Sequence, residues 1–128
     1  MNDNQIARET VDAAVQVHKR LGPGLLESVY KSVMAHELTK RGLSVIRERA
    51  VPVVYDSIRL DVGFRVDLLV NLRLVVELKS VEAIAPVHIM QVVTYLRLMD
   101  LRLGLLLNFG APLMKDGIRR VVNNFVEE

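Results

Sequence analysis

RVDLLVNLRLVVELKS, residues Arg65 to Ser80, decides how the chain folds. It reads as two short strands joined by a tight turn, with Asn71, Leu72 and Arg73 as the loop. In that register the numbers of facing residues share one sum, so Asp67 lies directly opposite Glu77. Strand side chains alternate, which puts Lys79 on the same face as Glu77. Two carboxylates facing each other across a hairpin repel, and among leucines and valines they are costly to bury without compensation. A divalent cation would supply it. So would a structural Glu77–Lys79 or Asp67–Lys79 ion pair at a strand end, and the pattern alone leaves both open.

Working outward, Leu74 to Ser80 is apolar on both faces apart from these charges, as expected of a central strand. Upstream, Leu43 to Tyr55 alternates loosely and reads as a strand bent or interrupted at Pro52. Asp56-Ser57 is a turn, and Ile58 to Val70 holds one long strand or two, with Gly63 as the candidate kink. Two helices come first. One spans about Asn4 to Leu21, with Ile6, Val11, Ala14, Val17 and Leu21 near helical spacing, and Gly22-Pro23-Gly24 ends it. The second runs from roughly Leu25 to Arg41 on a stripe of Leu26, Val29, Tyr30, Val33, Met34 and Leu38, closed by Gly42. Downstream, Pro86 suits the first turn of a helix reaching about Asp100, and Leu103 to Phe109 reads as a buried strand. Lys115 to Phe125 fits a helix or an edge strand. The order predicts a mixed α/β sheet with helices on each side.

At 128 residues the chain, 1–128, is expected to be a single domain. With 51% hydrophobic and 25% charged residues it is globular rather than disordered. It has no cysteine, which excludes disulfides, thiolate catalysis and thiolate zinc sites and fits a cytoplasmic setting. The apolar runs are broken by charges and the N-terminus is polar, so neither a membrane span nor a signal peptide is expected. The net charge of +2 permits nucleic-acid binding without arguing for it. Arg47 with Arg49, Lys19-Arg20 and Arg119-Arg120 are the candidate phosphate contacts, each equally readable as a solvated face. No aromatic-and-basic cluster, helix-turn-helix or zinc-finger pattern is present, so sequence-specific readout is not indicated. A mean hydropathy of +0.26 is high for a monomer of this size and suggests a homodimer.

The facing acids suit Mg²⁺ or Mn²⁺, hard cations that take oxygen ligands, with Lys79 beside the ion to orient a water and stabilise developing negative charge. His18 and His36 read as helix-surface or boundary residues, and without an HxxxH pair zinc hydrolase chemistry is unsupported.

Asp67 followed by Glu77-Leu78-Lys79 resembles the signature of the PD-(D/E)xK nuclease superfamily. Gly24-Leu25-Leu26-Glu27-Ser28-Val29-Tyr30 resembles the motif that names its GxxExxY family. The LGPG before it, the AxVHxxQVVTYL stretch and the LGLLLNFG strand are similar to that family too, so the likeness runs from about His18 to Val122. Val66 stands where the superfamily name has proline, at a position that varies widely. The resemblance implies a restriction-endonuclease-like core, a mixed central β-sheet flanked by helices. It implies Asp67 and Glu77 as metal ligands, helped by the Leu78 carbonyl, and Lys79 as the catalytic lysine. Glu27 matches a helical acid that approaches the metal, although the helix dipole alone favours an acid in a first turn. Gln91 and Tyr95 form QxxxY, similar to the fourth motif of RecB-like nucleases, which adds Gln91 to the catalytic set. Tyr30, Tyr95 and His88 are then candidates for the substrate rim, against core packing for Tyr30 and helix capping for His88. The implied activity is Mg²⁺- or Mn²⁺-dependent hydrolysis of nucleic acid, with DNA the expected polymer. The alternative is a catalytically silent module of the same fold that binds nucleic acid or a protein partner.

Overall fold

A computed structural model describes residues 1–126. Two helices, α1 (Asp3–Leu21) and α2 (Glu27–Lys40), precede strands β1 (Val45–Tyr55), β2 (Ile58–Val70) and β3 (Leu74–Lys79). Helix α3 (Pro86–Met99), strand β4 (Leu103–Asn108), a 3-10 turn over Met114–Gly117 and strand β5 (Ile118–Val122) complete the chain. The five strands form one sheet in the order β1-β2-β3-β4-β5. Only β3 and β4 run parallel, as a crossover through α3 requires.

The β2–β3 hairpin has the expected register: Leu68 faces Val76, Leu69 faces Val75 and Val70 faces Leu74. Asn71 and Leu72 take left-handed φ angles of 52° and 56°, and the Arg73 N–H donates to the Val70 carbonyl at 3.0 Å. β3 is the middle strand and is buried on both faces. Leu74, Val76 and Leu78 pack with Tyr30, Met34 and Leu38 of α2 and with Ile6, Ala14 and Val17 of α1. Val75 packs on the other side with Val92, Tyr95 and Leu96 of α3. Two cores thus sandwich the sheet, which is the mixed α/β, restriction-endonuclease-like arrangement.

Local chemistry explains the helix ends. Asn2 and Gln5 form a reciprocal capping box at the start of α1, and Gly22, with φ 70°, stops it. The second helix starts two residues later than its apolar pattern suggests. Leu26 is its extended N-cap and is 73% exposed, and Val29 is also exposed. Only Tyr30, Met34 and Leu38 of the expected stripe are fully buried. In β1 the pairing register slips between Val51 and Val53, at Pro52, which lacks the N–H that a regular ladder needs. The ambiguous tail is an edge strand, β5, antiparallel to β4. Gly117 allows this, since a Cβ there would lie 2.3 Å from the Asn108 carbonyl oxygen. His18 is not a surface residue: it is buried, its ring stacks near Phe109, and Nε2–H donates to the Ala111 carbonyl at 2.8 Å. Among the described residues no helix is long and apolar enough to cross a membrane.

One topological detail places the chemistry. β2 pairs with β3 only from Leu68 to Val70, then follows β1. β3 continues beside β4 until Lys79 faces Asn108. The sheet therefore forks near its centre, where the ladder ends at Asp67 and Glu77.

Candidate active site

At the fork each acid replaces a lost ladder bond. Glu77 Oε1 accepts from the Asp67 N–H at 2.9 Å, and Asp67 Oδ2 accepts from the Leu78 N–H at 2.9 Å. This reciprocal clasp lets two carboxylates face each other at 8% and 4% exposure. It does not remove their charge conflict. Burial, followed by the negative charge of Asp67, pushes the Glu77 carboxyl well above the usual carboxylate range, against the pull of the Asp67 N–H and Lys79. A buried pair of hard oxygen donors with excess negative charge is the donor set that Mg²⁺ or Mn²⁺ requires, so these residues fit such an ion.

Two lysines border the acids. Lys79 continues β3, with Nζ 4.0 Å from Oε1 of Glu27 in the first turn of α2. Lys31, one turn after Glu27, places Nζ 3.0 Å from Asp67 Oδ1 and 2.5 Å from Glu48 Oε1. Burial acts to lower the Lys31 pKa, but hydrogen bonds to Glu48 and Asp67 outweigh it, and the group sits above its ordinary value. Glu48 belongs to β1 yet has φ 53°, a left-handed angle that strands seldom contain and that non-glycine residues hold at a cost. By the β1–β2 register it lies opposite Asp67. Sequence reasoning missed both Lys31 and Glu48. The only available hint was that Lys31 follows Glu27 by four residues and shares its helix face.

The predicted residues divide accordingly. Asp67, Glu77, Lys79 and Glu27 converge, but Glu27 approaches Lys79. Among the described residues no three His, Cys, Asp or Glu side chains group closely enough to hold a metal ion. Of the rim candidates, Tyr30 is enclosed in the core. It is fully buried and stacks on Phe109 with ring centroids 4.4 Å apart. Its hydroxyl donates to the Gly22 carbonyl at 2.5 Å and accepts from the Leu25 N–H at 3.1 Å. The Ser80 hydroxyl donates to the Leu25 carbonyl at 2.7 Å from the opposite side. The spacing of the GxxExxY stretch thus has a local cause: the tyrosine folds back to fasten the loop that delivers Glu27. Beside that loop, Pro23, Leu26, Glu27, Ser80, Glu82 and Gly110 line an open recess of about 630 Å³.

On the α3 side, Tyr95 is 3% exposed and meets Phe64 edge-on at 5.7 Å. Burial first, then the negative charges of Glu77 and Asp67, push its hydroxyl up to about 12. His88 caps α3, with Nδ1 accepting from the Ala85 N–H at 3.0 Å. Gln91 lines a separate shallow recess with Phe64, Val87, His88, Met90 and Thr94, and among the described residues no hydrogen bond joins it to either acid. Of the basic candidates, Arg47 donates to the Ser32 hydroxyl, while Arg119 and Arg120 sit on β5, across the sheet from the fork.

No curated protein and no solved structure matches the chain. A family model described as the PD-(D/E)XK nuclease superfamily matches residues 4–121, from α1 into β5, with the facing acids and Lys79 inside the match. The chain belongs to the PD-(D/E)XK nuclease superfamily.

Proposed function

We propose that this chain is a Mg²⁺- or Mn²⁺-dependent phosphodiesterase acting on nucleic acid, with DNA as its polymer, and that within the superfamily it is a GxxExxY-type protein. The observation that carries the reading is the clasped, buried pair Asp67–Glu77 at the fork. Its backbone hydrogen bonds fix the pair without neutralising it. Around the fork the carboxyl groups of Glu27, Glu48, Asp67 and Glu77 meet the ammoniums of Lys31 and Lys79, and a divalent cation between Asp67 and Glu77 would offset the burial and repulsion that raise Glu77.

Asp67, Glu77 and the Leu78 carbonyl would hold the ion. Bound there, it supplies Lewis acidity to a phosphodiester and acidifies a water. Lys79, steered by Glu27, orients the attacking water and stabilises the charge that develops on the phosphoryl oxygens. Tyr95 stays protonated on the α3 side, its hydroxyl held up by burial and by the charges of the two acids. Tyr30 and Ser80 hold the Glu27 loop in place.

The test is cleavage of linear and circular DNA with Mg²⁺ or Mn²⁺ against EDTA, by the native protein, Lys79→Ala and Asp67→Ala. Each substitution is expected to lower the rate by at least about 100-fold, the scale of losing one general acid–base or electrostatic contact. Equal rates in all three, or a rate indifferent to EDTA, contradict the proposal. Mn²⁺ binding without any cutting would make the chain a silent binding module.

A further inference from the structure

Lys31 and Glu48 lie outside the acid–acid–lysine set, yet they sit against it in an unusual way. Lys31 divides one ammonium between two carboxylates, Asp67 Oδ1 at 3.0 Å and Glu48 Oε1 at 2.5 Å. Its side chain is only 15% exposed, whereas that of Glu48 is 43% exposed. A solvent-facing glutamate has no need of a left-handed backbone to find a lysine, but Glu48 holds φ 53° within a strand, opposite Asp67. The β1–β2 register is the same on both sides of it, since Arg47 faces Leu68 and Arg49 faces Val66. The distortion is therefore a single residue turned without slipping the strand. Its visible result is a carboxylate brought onto the ammonium that also touches Asp67.

We propose that Lys31 is an internal competitor for Asp67 and that Glu48 is the group that draws it off, so the pair sets the affinity of the Asp67–Glu77 site for a divalent cation. The inference rests on the proposed function, because it concerns the same site. When the site takes up a cation, the ammonium moves wholly to Glu48, a contact already made. The two residues therefore act in opposite directions. Without the ammonium, Asp67 is more available to a metal. Without the Glu48 charge, the ammonium commits to Asp67. Both are positioning residues, acting through Asp67.

The experiment is calorimetric titration of the EDTA-stripped, dialysed protein with Mn²⁺ alone, for the native chain, Lys31→Met, Lys31→Arg and Glu48→Gln. Lys31→Met is expected to bind Mn²⁺ about tenfold more tightly and Glu48→Gln about fivefold more weakly, the scale of one unit charge moved near a partly buried ion. Lys31→Arg, which keeps the charge, is expected to stay close to native. Circular dichroism of each variant confirms folding before titration. If Lys31→Met and Glu48→Gln shift affinity in the same direction, or neither shifts it, the competitor role is overturned while native Mn²⁺ binding still stands. If no variant, native included, binds Mn²⁺, the metal-dependent reading falls along with it.

Discussion

At the scale of single residues the site is a set of carboxylates held where carboxylates are expensive. Glu77 carries the clearest pH signature. Its folded pKa is raised above the unfolded value, chiefly by burial and then by Asp67. Its contribution to stability is therefore full below the ordinary carboxylate range and is lost as pH rises through the raised value. Denaturation of EDTA-treated protein should show a midpoint that falls as pH climbs from about 4 past neutrality, and Asp67→Asn should flatten that slope. A pH-independent midpoint would mean that Glu77 is not strained in this way. Tyr30 makes a separate claim. Its hydroxyl serves only the Gly22–Leu25 loop, so Tyr30→Phe should cost about 1–2 kcal/mol in urea unfolding. It should also lower catalysis only in part, through the placement of Glu27. The facing acids and Lys79 were legible in the sequence because strand alternation and a short turn dictate register. Lys31 and Glu48 were not. One depends on how α2 crosses the end of β2, the other on a backbone angle at a residue that carries no glycine-like signal.

At the scale of elements, the segment after Lys79 is clamped by β4. Asn108 is 2% exposed, and its Oδ1 accepts from the N–H groups of Val81 and Gly110 while Nδ2 donates to the Val81 carbonyl, each at 3.0 Å. The Phe109 N–H adds a bond to the Lys79 carbonyl at 2.8 Å. Asn108→Ala removes the three side-chain bonds and should destabilise the fold by about 2–4 kcal/mol, since buried backbone groups are left unpaired. Gly110→Ala should do comparable harm by a different route, because its Cβ would lie 2.2 Å from the Val81 carbonyl oxygen and the backbone would have to move. Thermal unfolding checks both, and a native midpoint for either would show that the clamp is idle. Most elements could be read from periodicity and punctuation: the Gly-Pro-Gly stop after α1, the Pro86 start of α3, the apolar run of β4. The start of α2 could not. Leu26 and Val29 are apolar at helical spacing but face the open recess and solvent, and a hydrophobicity pattern does not distinguish such residues from core.

At the scale of the whole molecule, the two cores on either side of the sheet meet the site at one place, where β2 and β3 separate. Elements from both layers reach it: Glu27 and Lys31 from α2, Tyr95 from α3. The order helix, helix, hairpins, helix, strand anticipated helices on both faces of the sheet, whereas the reach of Lys31 to Asp67 depends on packing that the order does not specify. Part of the exposed apolar surface lies on the β1–β2 hairpin. Val54, Tyr55, Ile58 and Leu60 are exposed at the far end of the β1–β2 hairpin, where β2 no longer has β3 beside it. Because ions that bind only the folded state stabilise it by mass action, Mn²⁺ at about 100 times its dissociation constant should raise global stability by roughly 2.7 kcal/mol. Asp67→Asn should abolish most of that gain; an equal gain in the variant would place the ion elsewhere. The most direct measurement is anomalous diffraction from a crystal soaked in Mn²⁺. An ion held by the clasped acids gives one strong peak at the fork, within coordination distance of Asp67, Glu77 and the Leu78 carbonyl. A peak bound away from both acids, or no peak with both carboxylates well ordered, would contradict that placement.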